Sequence, residues 1–155
     1  MEANQGKFNI TETIRRVKSA REELKRARET EREVSKPVLK DYRHIRKIHE
    51  LFCKSAGVGE SMTVVERKMF VFIIQFLYEP RNFFGFVMPR GLRIELAKVL
   101  RIKGVTILSR CASCTLSEYR IYTQFRTEVN RIFEDVVNGL VECGVIDPEN
   151  MDKEK

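Results

Sequence analysis

A chain of 155 residues, 43% hydrophobic and 33% charged, has room for one core with appendages; this excludes both two large domains and a low-complexity disordered protein. The longest apolar run, MFVFIIQFLY at 69–78, is about half of the roughly 20 residues a membrane-spanning helix needs, and four prolines with eight glycines leave little room for many tight hairpins, so an all-α protein with no membrane partner is expected. The net charge of +7 is uneven, at +6 over 1–57, +2 over 58–100, +4 over 101–131 and −5 over 132–155, a basic front that suits a polyanion and that solvated helix faces would explain equally well.

The start, MEANQGKFNI, lacks the cationic opening and apolar stretch of a signal peptide, so a cytoplasmic protein is expected. Cys53, Cys111, Cys114 and Cys143 are then expected to be reduced.

Residues 1–36 read as a basic helical arm. From 11 to 34 there is no Gly or Pro, and Val17, Leu24 and Glu31 stand seven apart with Ala20, Ala27 and Val34 between them, a thin heptad seam with small or charged occupants. Arg15, Arg16, Lys18, Arg21, Lys25, Arg26, Arg28 and Arg32 could lie along phosphates, although interleaved acids make a solvated arm the plainer reading.

The main helical domain is expected over 37–145. Its first helix is placed in SKPVLKDYRHIRKIHELFCKSAG, with Ser35 as cap, Pro37 in the first turn, Gly57 as the stop, and a stripe of Leu39 or Val38, Tyr42, Ile45, Ile48 or His49, and Phe52. Thr63 and Glu66 have capping-box spacing ahead of MFVFIIQFLY, which is apolar all round and should be the central helix, stopped at Glu79-Pro80. Phe83, Phe84 and Phe86 follow in a connector and are expected to plug the core. Beyond the helix LRIELAKVL, a segment from Val105 is expected to run, with one break, to about Cys143, with Tyr122, Phe125, Val129, Ile132 or Phe133, Val136 and Leu140 as its seam. Gly144 should cap it before an acidic tail at 146–155.

The stretch ELAKVLRIKGVTILSRC, 95–111, is where function is legible. Leu96, Ala97, Leu100, Ile102 and Ile107 occupy the places where a DNA-reading helix-turn-helix wants apolar residues, with the small Ala97 at the closest approach. Residues 92–113 resemble that motif, and MPRGLRIELAKVL with EYRIYTQFRTEVNRIFEDV is similar to small helix-turn-helix proteins of bacterial phages and mobile elements, a likeness covering about 62–137. It implies a regulator or accessory protein and no particular reaction. Two positions depart from the motif. Arg101 stands where glycine usually takes a positive φ, and Gly104, three residues later, offers another place to turn through a looser connection. Arg110 stands where a second apolar contact is wanted, so either it reaches outward to DNA or the second helix is rotated and the motif is degraded.

A second helix lying in a groove would offer Lys103, Thr106, Ser109, Arg110 and Ser113 to base edges, arginine on guanine being the strongest pairing, while Arg90, Arg93, Arg101 and Arg120 neutralise phosphates. The same residues would also serve as the polar face of a bundle helix. CASC, 111–114, invites zinc or redox chemistry, and His49 with Cys53 could complete four ligands, but neither a second CxxC nor a βαβ setting is present and buried free thiols are the reading taken. His44 and His49 lie off a common face, and Glu134, Asp135 and Glu142 read as solubilising. No nucleophilic triad, phosphate-cradling loop or HExxH occurs.

The expectation is an all-α helical bundle containing a helix-turn-helix at about 92–113, with an N-terminal arm and a long C-terminal helix. It is read as a non-enzymatic transcription regulator or accessory protein that binds double-stranded DNA, without cofactor, metal or small-molecule substrate. The arm or the long helix could support a homodimer. The competing reading is a helical structural or adaptor protein that binds a protein partner.

Overall fold

Capping residues set several helix boundaries in the computed structural model, which describes residues 9–59 and 61–151. All its regular structure is helical, with no strand among the described residues. Helix α1 spans Ile10–Val34 and starts where the Asn9 side chain accepts from the Glu12 N–H at 3.1 Å. Helix α2, Ile45–Ala56, ends on Gly57 at φ 66°, the left-handed conformation that glycine takes without a Cβ clash. Helix α3, Val64–Tyr78, opens on the capping box: the Glu66 N–H bonds Thr63 Oγ1 and the Thr63 N–H bonds Glu66 Oε2. Glu79 ends α3, and a 3-10 turn, Pro80–Phe84, follows. Helices α4, Arg90–Leu100, α5, Val105–Ile121, and α6, Thr123–Glu142, complete the bundle before a short helical turn at Pro148–Met151. None of the helices of the described residues is long and apolar enough to cross a membrane.

Contacts divide the chain into two units, residues 1–36 and 37–155. In the first, α1 has no buried side chain. In the second, α3 is the hub, packed against α2, α5 and α6, with Phe70, Ile73, Ile74 and Leu77 fully buried. Its apolar circumference is why it takes the centre: no face could be left in water without a cost of about 1.5–3 kcal/mol per large side chain. Helix α2 contributes Ile45, Ile48 and Phe52, α4 contributes Leu92 and Leu96, and α6 contributes Phe125, Val129, Ile132, Val136 and Leu140. Phe52 meets Phe70 edge-on at 5.3 Å, and Phe72 stacks on Tyr119 at 4.7 Å.

Gly139 lets α2 and α6 close. A Cβ there would fall 2.6 Å from Cδ2 of Leu51, so only hydrogen fits at the present spacing. Gly139→Ile should therefore lower stability by about 1–3 kcal/mol in urea unfolding, as overpacking does, despite the better helix propensity of isoleucine; an unchanged midpoint would show that Leu51 simply moves aside.

Four sequence expectations change. Ser35 does not start a helix but ends α1, its N–H bonding the Glu31 carbonyl; Pro37 then bars helical geometry at Lys36, the Leu39 N–H bonds the Leu77 carbonyl at 2.9 Å, and helix resumes only through a 3-10 turn, Tyr42–His44, capped by Asp41. The Arg43 guanidinium, with the Arg43 N–H, holds the Asp41 carboxyl down to about 2. Of the three connector phenylalanines only Phe83 is half-buried, against Phe72 at 5.0 Å, whereas Phe84 and Phe86 are exposed, the latter beneath the Arg81 guanidinium. Tyr122 is not a seam residue: its φ of −98° and ψ of 108° break α5 from α6, and it lies in solvent. Ile146, placed in the acidic tail, is buried in the core; the chain reaches it through Gly144 at φ 75°, where the Val145 N–H returns to the Leu140 carbonyl.

Candidate nucleic-acid interface

Helix α4 ends abruptly because Arg101 takes φ 55° and ψ 41°, the one positive φ outside glycine among the described residues. The N–H of Arg101 bonds the Lys98 carbonyl and the N–H of Ile102 bonds the Ala97 carbonyl at 2.9 Å, so the last carbonyls of α4 are satisfied within a tight turn. Gly104, which offered a looser connection, is extended at φ −152° and only precedes α5. The turn thus sits at Arg101 without glycine's help, at a cost of about 1 kcal/mol.

Leu96 is fully buried, and Ala97, Leu100 and Ile102 are half-buried, as the pattern wanted. Ile107 is not: it is 53% exposed, and Leu108, Ala112 and Thr115 form the inner line of α5 instead. Relative to the motif the inner face is shifted by one residue, a roll of about 100°. A polar clasp holds that roll. Gln75, fully buried on α3, donates from Nε2 to the Ala112 carbonyl at 3.0 Å and to Asn82 Oδ1, while the Thr115 hydroxyl donates to Gln75 Oε1 at 2.6 Å. An ion pair between Lys68 and Glu118 ties the same two helices farther along.

The roll brings Arg110 outward, opposite Leu108. Lys103, Thr106, Ser109, Arg110 and Ser113 are all exposed, as are Arg90, Arg101 and Arg120. Arg93 is half-buried, and its Nε is enclosed without a hydrogen-bond partner, so it turns partly inward rather than to a phosphate. Ser109 and Ser113 donate their hydroxyl protons to the carbonyls of Val105 and Arg110, at 3.1 and 2.8 Å, which leaves the hydroxyl oxygens facing out as acceptors. Ser117, also exposed, continues the line Thr106, Arg110, Ser113 at the same four- and three-residue spacing. That spacing was readable in the sequence once the roll of α5 was known.

Within α1, Lys18, Arg21, Lys25, Arg28 and Arg32 follow one another at three and four residues and fall on one face. None has an ion-pair partner among the described residues, whereas Arg15 and Arg16 both pair with Glu12. The neighbouring stripe, Val17, Ala20, Leu24 and Ala27, carries the heptad seam and is free of neighbours within this unit.

The cysteines are all free. Burial pushes the Cys111 thiol up to about 11, and Cys114 is exposed one turn away with its sulfur on the Arg110 carbonyl. His49 and Cys53 lie 3.7 Å apart on α2, but no group of three or more His, Cys, Asp or Glu placed to hold a metal occurs among the described residues.

No family model matches the chain, and neither a curated protein nor a solved structure matches it.

Proposed function

We propose that this protein binds double-stranded DNA without catalysing a reaction, presenting α5 to the duplex from a helix pair closed at Arg101, and that it acts in the cytoplasm as a transcription regulator or accessory protein of a phage or mobile element. One observation carries the reading: α4 and α5 are separate helices joined by a tight turn, and the outward line of α5, centred on Arg110, consists of hydrogen-bonding side chains in solvent. Arg90 and Arg120, exposed on the same helix pair, are the phosphate contacts of this reading. The cationic stripe of α1 adds a second, sequence-independent contact, and its apolar stripe supports pairing of two copies.

Binding of random duplex at several salt concentrations tests this. Affinity should fall steeply with salt, and removal of residues 1–36 should reduce the log–log slope by about four to five, close to 0.9 for each phosphate that the five stripe cations neutralise. Absence of binding at low salt would sink the reading.

A second reading has its own support. Phe84, Phe86 and Val87 are consecutive or nearly so and exposed, Val87 at 78%, which suits a helical adaptor that docks a protein partner. Duplex binding unaffected by substitutions on α5 but protein capture lost on Phe84→Ser with Phe86→Ser would favour it.

A further inference from the structure

A cleft of about 830 Å³ opens between α2, the first turn of α3 and the last turn of α4, all within the 37–155 unit. Three elements supply one guanidinium each: Arg46 from α2, Arg67 from α3 and Arg101 from the end of α4. None of the three has an ion-pair partner among the described residues, whereas the other cations of the lining, Arg43 and Lys98, are paired with Asp41 and Glu95 at 2.7 and 3.2 Å. Val58, Met62, Val99 and Leu100 give the same cleft an apolar wall. His49 lies between, its ring edge-on to Phe70 at 5.3 Å. Burial lowers the affinity of His49 for a proton, Glu50 opposes this and the nearby charge of Arg101 adds to it, so near neutral pH the imidazole is a neutral hydrogen-bonding group beside the arginines.

Arg101 is the second, independent observation. A glycine would hold its left-handed backbone about 1 kcal/mol more cheaply, yet the position carries a long cationic side chain that lines the cleft. Backbone strain of this kind clusters at binding and catalytic sites. Planar guanidinium forks match phosphate oxygens two at a time, and three arginines that line one concavity without an ion-pair partner among the described residues make it a place for an anion. The volume lies in the range of small-molecule sites, roughly 300–1,000 Å³, and is too small for a duplex.

We propose that this cleft binds a small organic phosphate, its phosphate gripped by Arg46, Arg67 and Arg101 and its apolar body laid on Val58, Met62, Val99 and Leu100. The phosphate is held here as a ligand, and no reaction is assigned to it. The assignment does not depend on α5 reading DNA.

The test uses the full chain with three probes, inorganic phosphate, phenyl phosphate and adenosine 5′-monophosphate, followed by calorimetry and by the ring resonances of His49. At least one organic phosphate should bind roughly tenfold or more tightly than inorganic phosphate and should move the His49 signals. Arg101→Gly removes the fork while relieving the backbone, so it should weaken that binding roughly tenfold or more with a melting temperature equal to or above that of the parent. Arg46→Gln should weaken it as well. The proposal falls if no probe moves the His49 resonances at millimolar concentration, if organic phosphates bind no more tightly than inorganic phosphate, or if Arg101→Gly binds as the parent does. It also falls if a short duplex, and no small probe, shifts His49 and loses affinity on Arg101→Gly, because the arginines would then belong to a nucleic-acid backbone site.

Discussion

Gln75→Leu should lower stability by about 2–3 kcal/mol and the melting temperature by roughly 5–10 °C, although it places a more apolar side chain in the middle of an apolar helix. The reason is the clasp. Gln75 is fully buried and spends its amide on Ala112 and Asn82 and its carbonyl on Thr115, so leucine leaves Asn82 Oδ1 without its donor and the Thr115 hydroxyl with only the Ala112 carbonyl, at 3.0 Å, to bond. A buried polar network half dismantled is worse than none. Thr115→Val should accordingly cost less in the Gln75→Leu background than in the parent, with a coupling of about 1 kcal/mol or more in the double-mutant cycle. Strict additivity of the two substitutions would mean that the two side chains do not act together.

Arg110→Ala should cost about 1–3 kcal/mol in affinity for a preferred duplex obtained by selection from random oligonucleotides, and much less for random duplex. Arg110 stands opposite the fully buried Leu108 on α5, so the side chain extends into solvent from the middle of the outward line and truncation disturbs no packing. A bidentate contact to one base pair predicts that preference relaxes at that base pair alone. An equal loss on both duplexes, with the salt slope reduced by about one, would assign Arg110 to a phosphate.

Much of the fold was legible because local chemistry and tertiary need agree. Thr63 and Glu66 cap α3, Gly57 ends α2, Pro80 stops α3, and the three- and four-residue spacing from Phe125 to Leu140 predicts the buried face of α6. The start of α2 was not legible, because Ser35 is chemically as able to end one helix as to start another; the bond from the Leu39 N–H to the Leu77 carbonyl, a partner 38 positions away, decides the matter. The connector aromatics misled for the opposite reason: hydrophobicity argues for burial, but α3 and α6 already fill the interior and leave Phe84 and Phe86 outside. At the candidate interface the exposure of Thr106 and Ser113 followed from pattern, while that of Arg110 came with the roll of α5, which depended on Gln75, a polar residue that periodicity counts only as an interruption. The arginine cleft gave no sequence signal, since Arg46 and Arg67 belong to separate helices and Arg101 to the turn that ends a third.

Only Tyr122 separates α5 from α6, so the direction in which α5 leaves its neighbour is fixed by two torsion angles and no loop intervenes. The Arg126 guanidinium lies across this pivot, bonding the carbonyls of Tyr119 and Arg120 at 3.4 and 3.3 Å. Seventeen residues form a lever of about 25 Å, and a swing of about 10° at the pivot would carry the Val105 end through roughly 4 Å, enough to move every outward side chain off its mark. The aim of α5 is thus secured at its far end by the Arg101 turn and at mid-length by Gln75, and slack at either would be magnified along the rod.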